Sequence, residues 1–357
     1  MAARWLCIST LSLLLIACGG GGSDGGGSSF APGANPPPSG GDTSGGNDGT
    51  VSPPTAFTHD GSARFNTPGA LSLHGDGTLY VSDQGNGAIR RIDAGGEVST
   101  PHGSYGIIAE RTDASGNLHL LDNVRLYRIS PTGESTLIRE FANQPGSYTP
   151  THLSADAMGN SYVLLQYRQL HQIWRFGATG SGQMVYSGGS YGSVADFASD
   201  SQGNLALALN GPMENTAFII HIPRPSQPAE QGTPGVSTVQ AATDYLPSAM
   251  VIDEAGNAYF VDVSVSQIAD QYYYSGMRIF RVGLNGVVTT LLDGFPDGTT
   301  DQRQVLTNRR FVNAGLALDA GGGLYFSDPR GNAIYRMDSA GNLTLIAGTP
   351  GQAGNSN

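Results

Sequence analysis

Short apolar stretches separated by Gly-, Asn- and Asp-rich turns run along the chain from Pro68 to Gly348. PGALSL from Pro68, LYVSD from Leu79 and AIRRI from Ala88 are runs of five or six residues, rich in apolar side chains and bounded by turn residues. Runs of that length between turn signals predict short β-strands rather than helices. The unit then recurs. Each copy has an apolar strand, an Asp-x-x-Gly turn, a second strand, and then a third and a fourth. The turn glycines are Gly77, Gly116, Gly159, Gly203, Gly256 and Gly322, separated by 39, 43, 44, 53 and 66 residues. Three residues earlier stand Asp113, Asp156, Asp200, Asp253 and Asp319, with His74 in the first copy. Asp accepts hydrogen bonds from the backbone ahead of it, and Gly takes a positive φ without steric cost, so the pair predicts a tight hairpin turn.

Hairpins of four strands at a period near 45 residues are the signature of propeller blades. The motifs Asp-x-x-Gly-Asn, Leu-Tyr-Val-Ser-Asp and Ile-x-Arg-Ile resemble NHL repeats, most clearly in copies one, five and six. The segment from His59 to Pro68 is similar to the link that precedes an NHL blade. The resemblance covers about residues 58 to 350 and implies an all-β, six-bladed β-propeller, NHL-like or TolB-like. A seventh blade is the rival if residues 296–312 hold a strand pair. Ring closure is open, since no strand stands out as a clasp. Second-strand acids Asp83, Asp122, Asp262 and Asp328 repeat from blade to blade, which suits bracing of the next turn better than catalysis.

The head of the chain has a different character. Arg4 precedes an apolar run from Trp5 to Ala17, too short for a membrane span. It ends Leu15-Ile16-Ala17-Cys18, which resembles the bacterial lipobox. The resemblance implies cleavage after Ala17 and lipidation of Cys18, hence a membrane contact through lipid. Gly19 in place of Asp implies the outer membrane in a Gram-negative host. Cys7 leaves with the leader, so the mature chain holds Cys18 alone and no disulfide. From Gly19 to about Pro54 the composition falls to Gly, Ser, Asn, Asp and Pro, too little apolar surface to offset ordering. The expected organisation is a signal peptide over 1–17, a tether over 18–55 spanning roughly 35 Å on average, the propeller over 56–351 and a tail over 352–357.

Composition narrows the chemistry. With 52 Gly, 20 Pro and 13% charged residues, long helices are disfavoured. All 18 basic residues are Arg, which excludes a lysine nucleophile or Schiff base. The net charge of −11 argues against nucleic acid as a partner.

A catalytic or binding residue should break the repeat. Seven residues before each turn glycine stand Ala70, Ala109, His152, Asp196, Ala249 and Gly315. Four are small, as a crowded axis requires, and two neighbouring blades carry His and Asp. Copy two adds Glu110 and Arg111. His152, Asp196, Glu110 and Arg111 form either a metal or acid–base site, with Ca or Zn the divalent candidates, or a polar, water-filled channel with an Arg–carboxylate pair. Tyr272, Tyr273 and Tyr274 are inserted between strands two and three of blade five, where they suit a partner contact on a loop or packing back on the blade. His102, His119, His171 and His221 lack metal-ligand spacing and suit solvent-facing or turn positions. Asp293, Asp297 and Asp301 read as an inter-blade connection rather than a calcium loop.

The expectation is a monomeric propeller, lipid-anchored in the cell envelope, acting as a binding scaffold for an envelope protein, peptide or glycan. The alternative is a metal-dependent propeller enzyme, a lactonase-like hydrolase or a lyase. Cys18→Ser is expected to shift the protein from the membrane to the soluble fraction of cells, with loss of the acyl mass; continued acylation of that variant would refute the lipobox reading.

Overall fold

The computed structural model describes residues 62–357, except 104–106, 142–147, 169, 190–193, 211–215, 224–236, 243–248, 269–270, 298–303 and 307–313. The expected leader, Cys18 and tether therefore lie outside the described residues. Six antiparallel sheets form the blades of a propeller. Blade one holds β1 (Pro68–Leu73), β2 (Leu79–Asp83), β3 (Ala88–Ile92) and β4 (Val98–Gly103). Blade two holds β5 (Ile107–Thr112), β6 (Leu118–Asp122), β7 (Arg125–Ile129) and β8 (Ser135–Glu140). Blade three holds β9 (Thr149–Ala155), β10 (Ser161–Tyr167), β11 (Leu170–Phe176) and β12 (Gly182–Gly189). Blade four holds β13 (Val194–Ser199), β14 (Leu205–Asn210), β15 (Thr216–Ile222) and β16 (Ser237–Ala242). Blade five holds β17 (Ala249–Ile252), β18 (Ala258–Ile268), β19 (Gln271–Val282), β20 (Val288–Gly294) and β21 (Gln304–Leu306). Blade six holds β22 (Leu316–Leu318), β23 (Leu324–Asp328), β24 (Ala333–Met337) and β25 (Leu343–Gly348).

Each first strand contacts the first strand of the next blade, and β22 returns to β1, so the ring is closed around an axis. Apolar side chains such as Leu79, Val81, Tyr162, Phe197, Val261 and Phe326 are buried at the sheet interfaces. The first-to-second strand turn is one module repeated. In blade two, Asp113 Oδ1 accepts the amides of Ser115 and Asn117 at 2.9 and 3.0 Å, and Oδ2 accepts Asn117 Nδ2 at 2.8 Å. Gly116 N–H donates to Asp113 O at 3.1 Å, with φ at +78°. Asp156, Asp200 and Asp253 repeat the whole set, and Asp319 keeps the two amide bonds while Arg336 replaces the Asn side chain. The turn acids are thus saturated donors' targets, which is why the motif recurs.

Second-strand acids brace turns as well. Asp122 Oδ1 accepts Val124 N–H at 2.8 Å, and Asp328 Oδ1 accepts Gly331 N–H at 2.8 Å. Asp262 keeps its place in β18, but its side chain is outside the described set. Between blades, hydroxyls form clasps. Thr112 N–H donates to Ser72 Oγ at 2.6 Å, and Ser199 N–H donates to Ser154 Oγ at 2.9 Å.

Three expectations change. Residues 296–312 contribute a single described strand, β21, which pairs with β19 and widens blade five instead of making a seventh blade. Tyr272, Tyr273 and Tyr274 lie in a strand, not a loop: they pair with Gln267, Ser266 and Val265 on one side and Leu306, Val305 and Gln304 on the other. The physical reason is that the insertion keeps strand pairing on both edges, so it lengthens the hairpin rather than bulging from it. Third, of the histidines expected at solvent-facing or turn positions, His119, His171 and His221 are buried, and His119 bonds the turn acid Asp113 at 3.0 Å.

Closure comes from the two ends of the described chain. Phe65 and Ala353 form a parallel bridge, Arg64 N–H donates to Ser356 O at 3.0 Å, and Gly354 N–H donates to Phe65 O at 2.9 Å. Residues 352–357 therefore work as a clasp, not a loose tail. At its centre Arg90 is fully buried; it donates to Asn355 Oδ1 at 3.0 Å and to Ser356 O, stacks over the Phe65 ring at 5.3 Å and faces Asp83 at 3.6 Å. Asp83 in turn accepts Asn66 N–H at 2.8 Å and Asn86 Nδ2 at 2.8 Å. Arg90→Met should cost about 3 kcal/mol, the loss typical of breaking a buried charge network. Urea denaturation measures this, and a change below about 0.5 kcal/mol, the scale of an ordinary surface substitution, would show that the clasp closes the ring without it.

Candidate functional site

First strands run side by side along the axis, so equivalent residues form rings. All six positions seven residues before the turn glycine, Ala70 through Gly315, line one narrow cavity of about 60 Å³. Gln84, at the second-to-third strand connection of blade one, and Thr151, near the start of β9, line it too. Gly315 is required there, because a Cβ would collide with Gly69 O and the Leu71 amide. The ring narrows by close approach of blades six and one.

A second cavity, of about 640 Å³, lies where the six first-to-second strand turns converge. Residues from every blade line it, from Leu73 and Gly75 to Asp319 and Gly322. Leu71, Arg111 and Leu316 line both cavities, so Arg111 stands between the wide chamber and the narrow ring.

The structure brings together three of the four repeat-breaking residues. His152 Nε2 stands 4.0 Å from Asp196 Oδ1, an ion-pair distance too long for a hydrogen bond. His152 Nδ1 is 3.0 Å from Thr151 Oγ1. Burial lowers the His152 pKa, and the Arg111 charge lowers it further against the pull of Asp196, so the imidazole is neutral at pH 7. Asp196 is already engaged. Its Oδ1 accepts the Phe197 amide at 2.7 Å, and its Oδ2 accepts the Met250 amide of blade five at 2.7 Å. It holds two blades together while presenting an edge to the channel.

Glu110 does not join them. Strand alternation turns it away from the axis between Ala109 and Arg111, and it lines neither cavity. Its carboxyl is fully buried, and neither oxygen has a hydrogen-bond partner among the described residues. Burial pushes its pKa up to about 8, against smaller opposing effects of the Arg111 charge and of the nearby Ser82 and Glu110 amides. Among the described residues Arg111 forms no ion pair with a carboxylate; its Nη1 donates instead to the Glu110 carbonyl at 2.7 Å.

Among the described residues no group of three or more His, Cys, Asp or Glu is arranged to hold a metal ion. Arg111, His152 and the Asp196 edge can bind and orient a polar group, and neutral His152 can accept or donate a proton. One constellation was not singled out from the sequence. His119 Nδ1 is 2.7 Å from Ser161 Oγ and its Nε2 is 3.0 Å from Asp113 Oδ2. The order resembles a hydrolase triad, yet Ser161 is 1% exposed, so no substrate reaches its hydroxyl. Its role is to tie blade two to blade three. Burial alone would raise the Asp113 pKa, but bonds from the His119 and Asn117 side chains and the Asn117 amide hold it down to about 2. The signal was in the sequence: the residue six after the turn Asp is His119, Tyr162 or Tyr259, and each bonds that Asp, at 3.0, 2.9 and 3.2 Å.

No family model matches the chain, and no curated protein matches it. Solved structures share its architecture. A gluconolactonase from Xanthomonas campestris has a TM-score of 0.52 and 12% identity, over 80% of this chain and 88% of that one. A luciferin-regenerating enzyme has a TM-score of 0.51 and 12% identity, over 82% of this chain and 95% of that one. Virginiamycin B lyase from Staphylococcus aureus, solved with quinupristin, has a TM-score of 0.49 and 14% identity, over 81% and 86% of the two chains. At such identities the likeness concerns the fold, a six-bladed propeller.

Because Glu110 is neutral in the fold and charged in the unfolded chain at pH 7, unfolding releases a proton. Its folded pKa is raised, so its contribution is fully favourable below the ordinary Glu range and is lost as pH rises towards 8. Glu110→Gln should therefore match wild type at pH 4 and exceed it at pH 7 by about 2–3 kcal/mol. Urea denaturation at the two pH values measures this; equal stability at both would mean that the carboxyl is solvated.

Proposed function

We propose that the chain is an NHL-like propeller, lipid-anchored in the cell envelope through Cys18, that acts as a binding module and captures its ligand in the axial chamber. The observation that carries this reading is the cavity of about 640 Å³ at the converging turns, within the usual size range of ligand pockets. Every blade contributes to its wall, and the turn carboxylates there are occupied by backbone amides. The chamber therefore offers a pre-formed, rigid shape rather than a set of free reactive groups. The lipobox-like leader and the Gly/Ser/Pro-rich stretch support anchoring with reach, which suits capture at an envelope surface.

An enzymatic reading stands second, favoured by one observation. His152 lies 4.0 Å from Asp196 beside Arg111, in the channel of a fold shared with a gluconolactonase and a luciferin-regenerating enzyme. A hydrolase or lyase would use His152 as its acid or base. Asp196, already holding two amides, suits orientation better than proton transfer. A divalent metal remains part of that second reading.

The binding reading is tested by placing a photocrosslinking residue at Ala157 or Ala255, which line the chamber and are exposed, and at Leu137 on the outer strand β8 as a control. Illumination of intact cells should give discrete adducts from the two chamber positions and none from Leu137. Adducts from Leu137 alone would move the binding face to the outer rim.

A further inference from the structure

We infer that Arg111, with His152 beside it, is the receptor for a single carboxylate carried by the ligand, with the ligand's body in the wide chamber. The inference rests on the chamber being the binding site, and it names the chemistry that the site selects.

Arg111 occupies a position that is otherwise uncharged around the ring. Five residues before the turn glycine, the six blades carry Ser72, Arg111, Ser154, Ala198, Val251 and Ala317. Ser72 and Ser154 use this position for the clasp that joins their blade to the next. Blade two gives up that clasp and places a long cation at the axis instead. Packing does not call for this, because small residues fill the position elsewhere.

The charge is also left without an opposite partner. The bond to the Glu110 carbonyl satisfies one donor of a guanidinium that carries five. Among the described residues no carboxylate lies within 4.0 Å of Arg111 as an ion pair. Glu110 is the nearest in sequence, but it faces the other side of the strand and is protonated at pH 7. Asp196 directs both oxygens to backbone amides. A half-buried cation without a partner costs free energy that an incoming anion recovers.

Size and field then limit the anion. The narrow section holds about 60 Å³, room for a few waters or one carboxylate but not for a sugar ring. Around it the chamber wall carries Asp113, Asp156, Asp200, Asp253, Asp319 and Glu254. That acidic wall opposes a doubly charged anion more than a singly charged one, so it favours a monoanionic carboxylate over a phosphate dianion. His152, held neutral, supplies a further hydrogen bond without adding charge.

Such a carboxylate comes from a peptide C-terminus or from a uronic acid of a glycan. The test is calorimetric titration of the full chain in detergent with two probe pairs. One pair is N-acetyl-alanyl-alanine and its C-terminal amide; the other is glucuronate and glucose. The expected result is that one carboxylate binds at least tenfold more tightly than its neutral counterpart. Arg111→Gln should abolish that preference and Arg111→Lys should keep part of it, with both variants melting near the wild-type temperature. The pair that responds identifies the source. Equal binding of a neutral counterpart, or full binding by Arg111→Gln, would overturn the inference. If all four probes fail while Ala157 and Ala255 still crosslink, the chamber is the binding site but not for a carboxylate; if both fail, the chamber reading falls as well.

Discussion

A ring of sheets is stable only if its last member meets its first, since an open ring leaves two blade faces in water. Here that junction has two parts. Near the axis, Gly315 of blade six lies against the Gly69–Leu71 backbone, and Ser327 Oγ donates to Gly69 O at 2.8 Å. Farther out, residues 62–65 bond to residues 353–357, and the buried Arg90 donates to Asn355 and Ser356 of the same segment. Ala63, Phe65, Leu71 and Leu79 share one apolar cluster with Tyr325, Ile334, Ile346 and Ala347, so the seam is packed as well as bonded. The rings of axial side chains exist because this seam holds the six first strands at fixed spacing.

Inside the closed ring, repetition and interruption have different energetic meanings. The Asp of five of the six turns accepts several donors locally, so its charge is met wherever the motif occurs. A position that departs from the repeat lacks such ready-made partners. Asp196 finds them in the Phe197 and Met250 amides and becomes a brace. Glu110 finds none and stays protonated. Arg111 cannot lose its charge and keeps it in the channel. Glu110 and Arg111, adjacent in one strand of blade two, thus meet their charges in opposite ways, one by staying protonated and the other by facing the channel.

The amino-acid sequence by itself determined the repeated blade unit, the hairpin turns and the ring of axial positions, while residues 296–312 left six or seven blades open until β21 paired with β19. The repeat and its turns follow from short apolar runs recurring about every 45 residues and from Asp and Gly at set offsets, which act locally in each hairpin. It also marked His152, Asp196, Glu110 and Arg111 as departures from the repeat. Tertiary structure decided what each departure means, because strand alternation and neighbouring blades place groups that sequence spacing does not relate. Glu110 is adjacent to Arg111 in the chain yet lines neither cavity, while His152 and Asp196, 44 residues apart, meet on neighbouring blades beside the channel. The same reason explains the closing seam, where Arg90 meets Asn355 and Ser356 only once six blades have turned the chain through a full circle.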